Sequence, residues 1–331
     1  MPIFLPSLKS SGRLNQLHIA VCNVGSRKIN TYDDYANMGW SIFAPNLTIY
    51  GFDADPEACD AANFDLEARQ ANWTEKHIPL ALSDTPGETT LYVTQHPMCS
   101  SLYMPNEPYL SRFAGLPERV NLDFTIEIET TTLDEFCQQE AIADIDFLQI
   151  DVQGADLLVL QGSQHLLERS VLAVQIEVEF SPLYSNQPLF SDVDTFLRSR
   201  DFSLFDLALA HRLRMRSPIQ SLSHPGQLLW ADAFYFRDLL RPDFAQAHFK
   251  TPDQLLKLAC VADVMDFPDY ALEILEYLTL QHGDNPDYNF ADAIVMGLAD
   301  FPELKAEGLK KLTVVDNVRQ YLSDSAIALL A

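Results

Sequence analysis

Residues 17–24 (LHIAVCNV) are nearly continuous in apolar side chains and stop at Gly25. A run of this kind reads as a strand buried on both faces that enters a tight turn. Residues 47–52 (LTIYGF) repeat the pattern and close on Asp53-Ala54-Asp55-Pro56. Proline is tolerated at the first position of a helix, so a helix is expected from Pro56. A third run, 77–82, ends at Ser83-Asp84, and Pro86-Gly87 turns the chain into an extra strand over 89–94. Residues 95–121 hold several prolines and little periodicity, which reads as a long, lid-like loop. Alternation resumes at 124–131, where Phe124, Ile126 and Ile128 face one way.

Further along, 147–152 (FLQIDV) is again a buried strand, and 155–168 carries leucines at helical spacing. Residues 171–180 (VLAVQIEVEF) read as a long strand, 192–200 as a helix, and 202–209 and 228–236 as two late strands. Strands that alternate with helices form βαβ units around a parallel sheet. Right-handed crossovers place helices on both faces, and the late strands, which lack a long crossover, predict an antiparallel edge strand. After Pro242 the pattern becomes purely helical, with amphipathic segments at 253–265, 269–280, 287–298 and 302–312. The expected organisation is therefore an α/β, Rossmann-like unit over 1–242 and a helical C-terminal module over 243–331. Phe267-Pro268 and Phe301-Pro302 lie 34 residues apart, the period of a tetratricopeptide repeat. The tail reads either as such a repeat, acting as a protein-interaction or self-association module, or as a helical cap on the sheet.

Composition narrows the function classes. Apolar residues make up 47% of the chain, enough for a sizeable core. The net charge of −25, from 47 acidic and 22 basic residues, repels phosphate backbones and anionic membranes, so no nucleic-acid or membrane partner is expected. A neutral or cationic small substrate suits that field better. No apolar stretch approaches the roughly 18 residues of a spanning helix, and the short N-terminal run broken by Pro6 does not read as a signal peptide. The cysteines, Cys22, Cys59, Cys99, Cys137 and Cys260, form no C-x-x-C pair; they predict free thiols in a reducing cytoplasm and no metal site.

Open parallel sheets bind ligands beyond the carboxyl ends of their strands. The residues found there are Asn23 to Ser26, Asp53, Asp55, Ser83, Asp84, Asp151 to Gly154, Glu177 and Glu179. Gly25 allows a ligand to approach backbone amides, or is a plain strand-to-helix turn. Asp53 suits a ribose diol, and Asp55 suits a helix N-cap. Asp84 reads as an acceptor for an adenine amino group or as a turn aspartate. Asp151 is the strongest signal, because a charge inside an apolar strand is costly unless paired or functional. Period two puts Glu177 and Glu179 on one face: they border the crevice if their strand is central and are solvated if it is not. His96, in the long loop, is the one histidine retained as an acid/base or substrate contact.

Several ordered blocks resemble the FkbM family of methyltransferases. Asp146 to Asp156 (DFLQIDVQGAD) is similar to its D-F-(L/I)-K-I-D-V-E-G-(A/S)-E block, and Val159-Leu160-Gln161-Gly162 and the strand ending at Phe180 follow in order. Ser181-Pro182-Leu183-Tyr184 continues the match. Upstream, Tyr50 to Pro56 resembles G-F-E-P-D-P, and Ala81 to Asp84 with Gly87 resembles A-L-S-D…G. Ser100 to Tyr103 and Thr132-Leu133-Asp134 also fit. The resemblance spans about residues 17–237. It implies a class I methyltransferase sheet, S-adenosylmethionine as donor, and O-methylation of a sugar or hydroxylated small metabolite. By it, Asp53 holds the ribose, Asp84 lies near the adenine, Gly25 passes the methionine end, and Asp151 borders donor and acceptor. The departures are Asn23 to Lys28, which lack the leading acid and last glycine of D-V-G-A-x-x-G, Gln153 for the usual glutamate, and Asp53 for a glutamate.

A hydroxyl acceptor requires a base, and Asp151, Glu177 and Glu179 are the candidates. Two rival readings remain. A dinucleotide-dependent oxidoreductase would share Asp53 but needs G-x-G-x-x-G, which is missing. A non-catalytic relative would act through its helical tail.

Overall fold

The structure is a computed structural model and describes residues 2–28, 34, 35 and 37–330. Ten strands follow one another: β1 (Ile19–Val24), β2 (Leu47–Asp53), β3 (Thr74–Pro79), β4 (Ala81–Leu82), β5 (Gly87–Thr94), β6 (Leu122–Thr131), β7 (Phe147–Ile150), β8 (Ala173–Glu179), β9 (Phe202–Arg212) and β10 (Gln227–Arg237). Seven build one sheet in the order β3-β2-β1-β7-β8-β10-β9. β1, β2, β3, β7 and β8 run parallel, and β10 lies antiparallel between β8 and β9. This is the class I methyltransferase sheet, with its antiparallel strand one place in from the edge. β4, β6 and β5 make a separate three-stranded sheet.

Alternation along the strands decides which side chains enter which layer. Ile19 and Val21 of β1, with Leu47 and Ile49 of β2, face one core; Ala20, Cys22, Val24 and Phe52 face the other. The second core is closed by the helices Leu133–Gln139, Asp156–Gln161 and Gln164–Arg169. The first is closed by the helices after Pro242, chiefly Pro252–Val264, Pro268–His282 and Ala291–Ala299, together with an N-terminal helix, Leu5–Ser10, that the apolar pattern does not announce. Phe267 and Phe301 each precede a helix that starts on proline, of 15 and six residues respectively.

Three local expectations change. The run at 77–82 is not one strand: Pro79 ends β3, the Leu80 amide turns back to the Ile78 carbonyl, and Ala81–Leu82 pair with β6 instead. A proline cannot continue the donor ladder, so the strand divides there. The helix expected over 155–168 is two, broken at Gly162. A β-carbon on Gly162 would stand 2.1 Å from the Ser83 carbonyl oxygen, so the chain bends where it presses on that turn. The long loop of 95–121 is ordered by three short helices and its own apolar cluster, in which Leu110, Phe113, Leu116 and Val120 pack on Leu183, Tyr184 and Leu229. No helix among the described residues is long and apolar enough to cross a membrane.

Candidate active site

β1 is paired on both sides, by β2 and β7, so the order of the sheet reverses there and the carboxyl ends of the three strands open one crevice. At its centre Gly25 has φ +88°. Its amide and that of Ser26 both donate to the Phe52 carbonyl at 2.9 Å, and the Asp151 amide donates to the Val24 carbonyl at 2.9 Å. Three strand tips are thereby tied at one point. The crevice holds a cavity of about 440 Å³, lined by Gly25, Asp53, Leu82, Phe124, Asp151 and Gln153 among others. Its far wall comes from β5 and β6 and from the segment 94–102.

Asp53 reaches this cavity and accepts the Asp55 amide at 2.9 Å. Burial pushes its carboxyl above the ordinary value, against the pull of that amide and of Arg27. Asp55 is the N-cap of the helix Pro56–Arg69, accepting from the Glu57 and Ala58 amides, and it pairs with Arg27. Burial pushes Asp55 up, but those amides and the Arg27 guanidinium outweigh it and hold the carboxyl below its usual range.

The floor is acidic. Gln153 sits in the left-handed region (φ +56°), followed by Gly154 at φ +89°. From one amide nitrogen Gln153 donates to Asp151 Oδ1 and to Glu177 Oε2, both at 2.8 Å; its Oε1 accepts the Tyr184 hydroxyl at 2.9 Å. Glu177 faces Asp232 across the β8–β10 pair. Burial, then Asp151, Glu179, Asp156 and Asp232 in turn, drive the Glu177 carboxyl well above its ordinary value. Glu179 is raised in the same way by burial and by Asp156 and Asp151. Asp156 is pushed to about 7 and Asp232 to about 6, both chiefly by burial and then by Asp151. Asp156 also receives the Val152 and Gly154 amides at 3.0 and 2.8 Å, which fixes the bend after β7.

The sequence candidates thus divide. Gly25, Asp53 and Asp151 line the cavity. Glu177 and Glu179 belong to a central strand and are buried, not solvated, Glu177 against Gln153 and Glu179 against Gln187. Asn23 is buried within β1, level with Gly51 and Gln149. Ser83 and Asp84 lie just past Leu82, the last lining residue of that turn, with the Ser83 hydroxyl donating to Asp84 Oδ1 at 3.2 Å. His96 is not among the lining residues; its amide donates to the Arg119 carbonyl at 3.0 Å. The far end of the loop after Gly25 lies outside the described residues. Sequence reasoning overlooked Asp232 and Asp156. Asp232 carries the same signal as Asp151, a carboxylate in an apolar strand (LLWADAFYF).

Residues 26–204, more than half of the chain, match the family described as the Methyltransferase FkbM domain. No curated protein matches the sequence. Among solved structures, the FkbM methyltransferase of Methylobacillus flagellatus KT is 12% identical over 66% of this chain and 43% of its own, with a TM-score of 0.39. The chain thus spans less than half the length of that relative. A structure of TrmK from M. capricolum with S-adenosylhomocysteine is 9% identical, covers 97% of both chains and has a TM-score of 0.34. The precorrin-6y C5,15-methyltransferase of Geobacter metallireducens GS-15 is 10% identical over 70% of this chain and 86% of its own, at 0.32. On the span of the domain match, this chain belongs to the FkbM family of S-adenosylmethionine-dependent methyltransferases.

Proposed function

We propose that this protein transfers a methyl group from S-adenosylmethionine to a hydroxyl oxygen of a small acceptor, a sugar or another hydroxylated metabolite. The observation that carries the reading is the cavity at the switch point of the sheet, with Asp151 in its lining and a buried acidic bridge behind it. Its volume of about 440 Å³ suits a nucleoside-sized ligand. Gly25, which lines the cavity and lets the tips of β1 and β7 meet, borders the methionine end, and Asp53 accepts from the ribose hydroxyls. Ser83 and Asp84 border the adenine end, and Asn23 braces β1 beneath it. When bound, S-adenosylmethionine supplies an electrophilic methyl group on a sulfonium.

Transfer is an in-line displacement, so alignment is most of the enzyme's task. Of the three candidate bases only Asp151 lines the cavity; it takes the acceptor's hydroxyl proton as the oxygen lone pair bonds to the methyl carbon and the donor's sulfur–methyl bond breaks. Glu177 and Glu179 are not among the lining residues; Glu177 acts as a positioning residue through Gln153, which also holds the Tyr184 hydroxyl, and Glu179 through Gln187. Their proton-holding state keeps the floor from carrying several adjacent full charges. The five free thiols support a reducing, cytoplasmic setting.

Calorimetry of the intact chain with S-adenosylmethionine and S-adenosylhomocysteine tests the donor reading. Saturable binding by both, weakened in Asp53→Asn, is expected. Absence of saturable heat with either ligand would overturn it.

A further inference from the structure

The stretch 207–231 is unlike the rest of this acidic chain: it contains no aspartate or glutamate, but three arginines and two histidines. It forms the end of β9, the connection to β10 and the start of β10. Two more arginines, Arg112 and Arg119, come from the ordered segment between β5 and β6. The two pieces are stitched by backbone: the Ala114 amide donates to the Leu213 carbonyl at 3.0 Å, and the Met215 amide to the Arg112 carbonyl at 2.9 Å. Aromatic rings support the guanidinium groups, Trp230 beneath Arg212 at 4.4 Å, Phe113 beneath Arg214 at 4.5 Å and Tyr109 beneath Arg112 at 5.5 Å. Arg112, Arg119, Arg214 and Arg216 are exposed and Arg212 half-exposed.

Among the described residues none of these five arginines makes an ion pair. Nearby acids do not answer them. Glu107 is engaged by the Leu122 amide at 2.9 Å, and among the described residues Glu118 makes no ion pair. Burial and then the proximity of Arg119 hold the Arg212 guanidinium below its ordinary value. Gathering like charges costs free energy that an incoming anion would relieve.

The cluster adjoins the candidate site. The Arg119 carbonyl accepts the His96 amide at 3.0 Å, and Gln95 and Pro97 on either side line the cavity. Gln227 accepts from Arg214 and donates to the Ser181 hydroxyl at 3.1 Å, two residues beyond Glu179.

We infer that Arg112, Arg119, Arg212, Arg214 and Arg216 dock a phosphate group carried by the methyl acceptor. This rests on the reading of the Asp151 cavity as the place of transfer. Planar guanidinium forks match phosphate oxygens two at a time. The acidic floor fixes the sense of binding: the phosphate stays on the arginine rim and a neutral hydroxyl points inward. The acceptor is a small molecule rather than a polynucleotide, because the net charge of −25 opposes an extended polyanion everywhere except at this patch.

The test is calorimetry of the full chain with inorganic pyrophosphate, for the wild type, the double variant Arg119→Gln/Arg212→Gln, and a distant-arginine control, Arg319→Gln, on the exposed tail. Saturable pyrophosphate binding is expected, weakened about tenfold or more in the double variant and unchanged in the control. S-adenosylhomocysteine binding should be the same in all three. No saturable pyrophosphate binding by the wild type, or an equal loss in Arg319→Gln, overturns the proposal. Tighter binding of a single-stranded RNA than of pyrophosphate overturns its small-molecule form. Pyrophosphate binding without S-adenosylhomocysteine binding supports the arginine site and sinks the donor reading instead. With labelled donor, sugar phosphates should be methylated in preference to the corresponding free sugars.

Discussion

A β-carbon on Gly25 would stand 1.9 Å from the Asp151 carbonyl oxygen. The tips of β1 and β7 therefore meet this closely because residue 25 is glycine, and its φ of +88° would strain other residues as well. Gly25→Ala must push the two strand ends apart. It is expected to destabilise the protein by about 2–4 kcal/mol, combining left-handed strain with the backbone collision, and to remove donor binding. Chemical denaturation and calorimetry read the two effects separately. An alanine variant that binds S-adenosylhomocysteine as well as the wild type would show that this contact does not shape the donor cradle.

Gln153 offers a second check, because it stands where the resembling family carries a glutamate. Here the side-chain nitrogen donates to both Asp151 and Glu177 at 2.8 Å. A glutamate has no amide to give and would add another carboxyl group to a floor that already holds Asp151, Asp156, Glu177, Glu179 and Asp232. Gln153→Glu is expected to cost about 2–3 kcal/mol of stability through two lost hydrogen bonds and added repulsion. The rise of turnover with pH should move to higher pH, since another acid raises the pKa of the base. A stable variant with an unshifted profile would mean that the bridge does not tune Asp151.

The raised carboxyl groups set a pH dependence of stability whose sign is opposite to the common one. Asp156 is pushed to about 7 and Asp232 to about 6, with Glu177 and Glu179 also raised. Between the unfolded value near 4 and these folded values, the native state binds more protons than the unfolded chain. Stability from this cluster therefore falls as pH rises through that window and levels off above it. Glu75, held at about 2, works in the other direction: burial pushes it up, and His77, Lys28 and Trp73 more than reverse this. Its contribution is present above the unfolded value and is lost as pH falls towards 2. Denaturation midpoints should decline from pH 5 to pH 7, and Glu179→Gln should flatten the decline.

How far the sequence carried this picture depends on the range of the interactions. Strand runs such as 17–24 and 171–180 are legible because burial on both faces needs a continuous apolar stretch, and Asp151 stood out as a charge within one. The glycine break at 162 was not legible, since its cause is the Ser83 carbonyl from a distant turn. Nor was the separation of Asp151 from Glu177 and Glu179 into cavity-lining and buried groups: period two gives the shared face, but not that Gln153 engages Glu177 and Gln187 engages Glu179. The arginine cluster was visible in part, in the acid-free stretch 207–231, yet a net charge summed over the whole chain concealed it. Arg112 and Arg119 join it only through tertiary pairing of distant segments.

The helices after Pro242 bear on the sheet through specific polar ties as well as apolar packing. Asp146, at the start of β7 and almost fully buried, accepts the Ala20 amide of β1 and the Lys257 ammonium, each at 2.8 Å. Asp263, on the same helix as Lys257, receives the amides of Ile3, Phe4 and Leu5 at 2.8–2.9 Å and so starts the N-terminal helix. Phe4, Leu5 and Leu8 then share one apolar cluster with Ile19, Phe147, Leu258 and Ile294. Removing the lysine strands a buried carboxylate, so Lys257→Met is expected to cost about 3 kcal/mol. In the double variant Asp146→Asn/Lys257→Met no charge is left unpaired, and part of that loss should return. Truncation after residue 242 should be far more damaging, because it uncovers the apolar face of β1 and β2 and releases the N-terminal helix. Solubility and cooperative unfolding of the truncated chain are the measurements. A soluble 1–242 fragment with wild-type donor affinity would show that these ties join two units that fold independently.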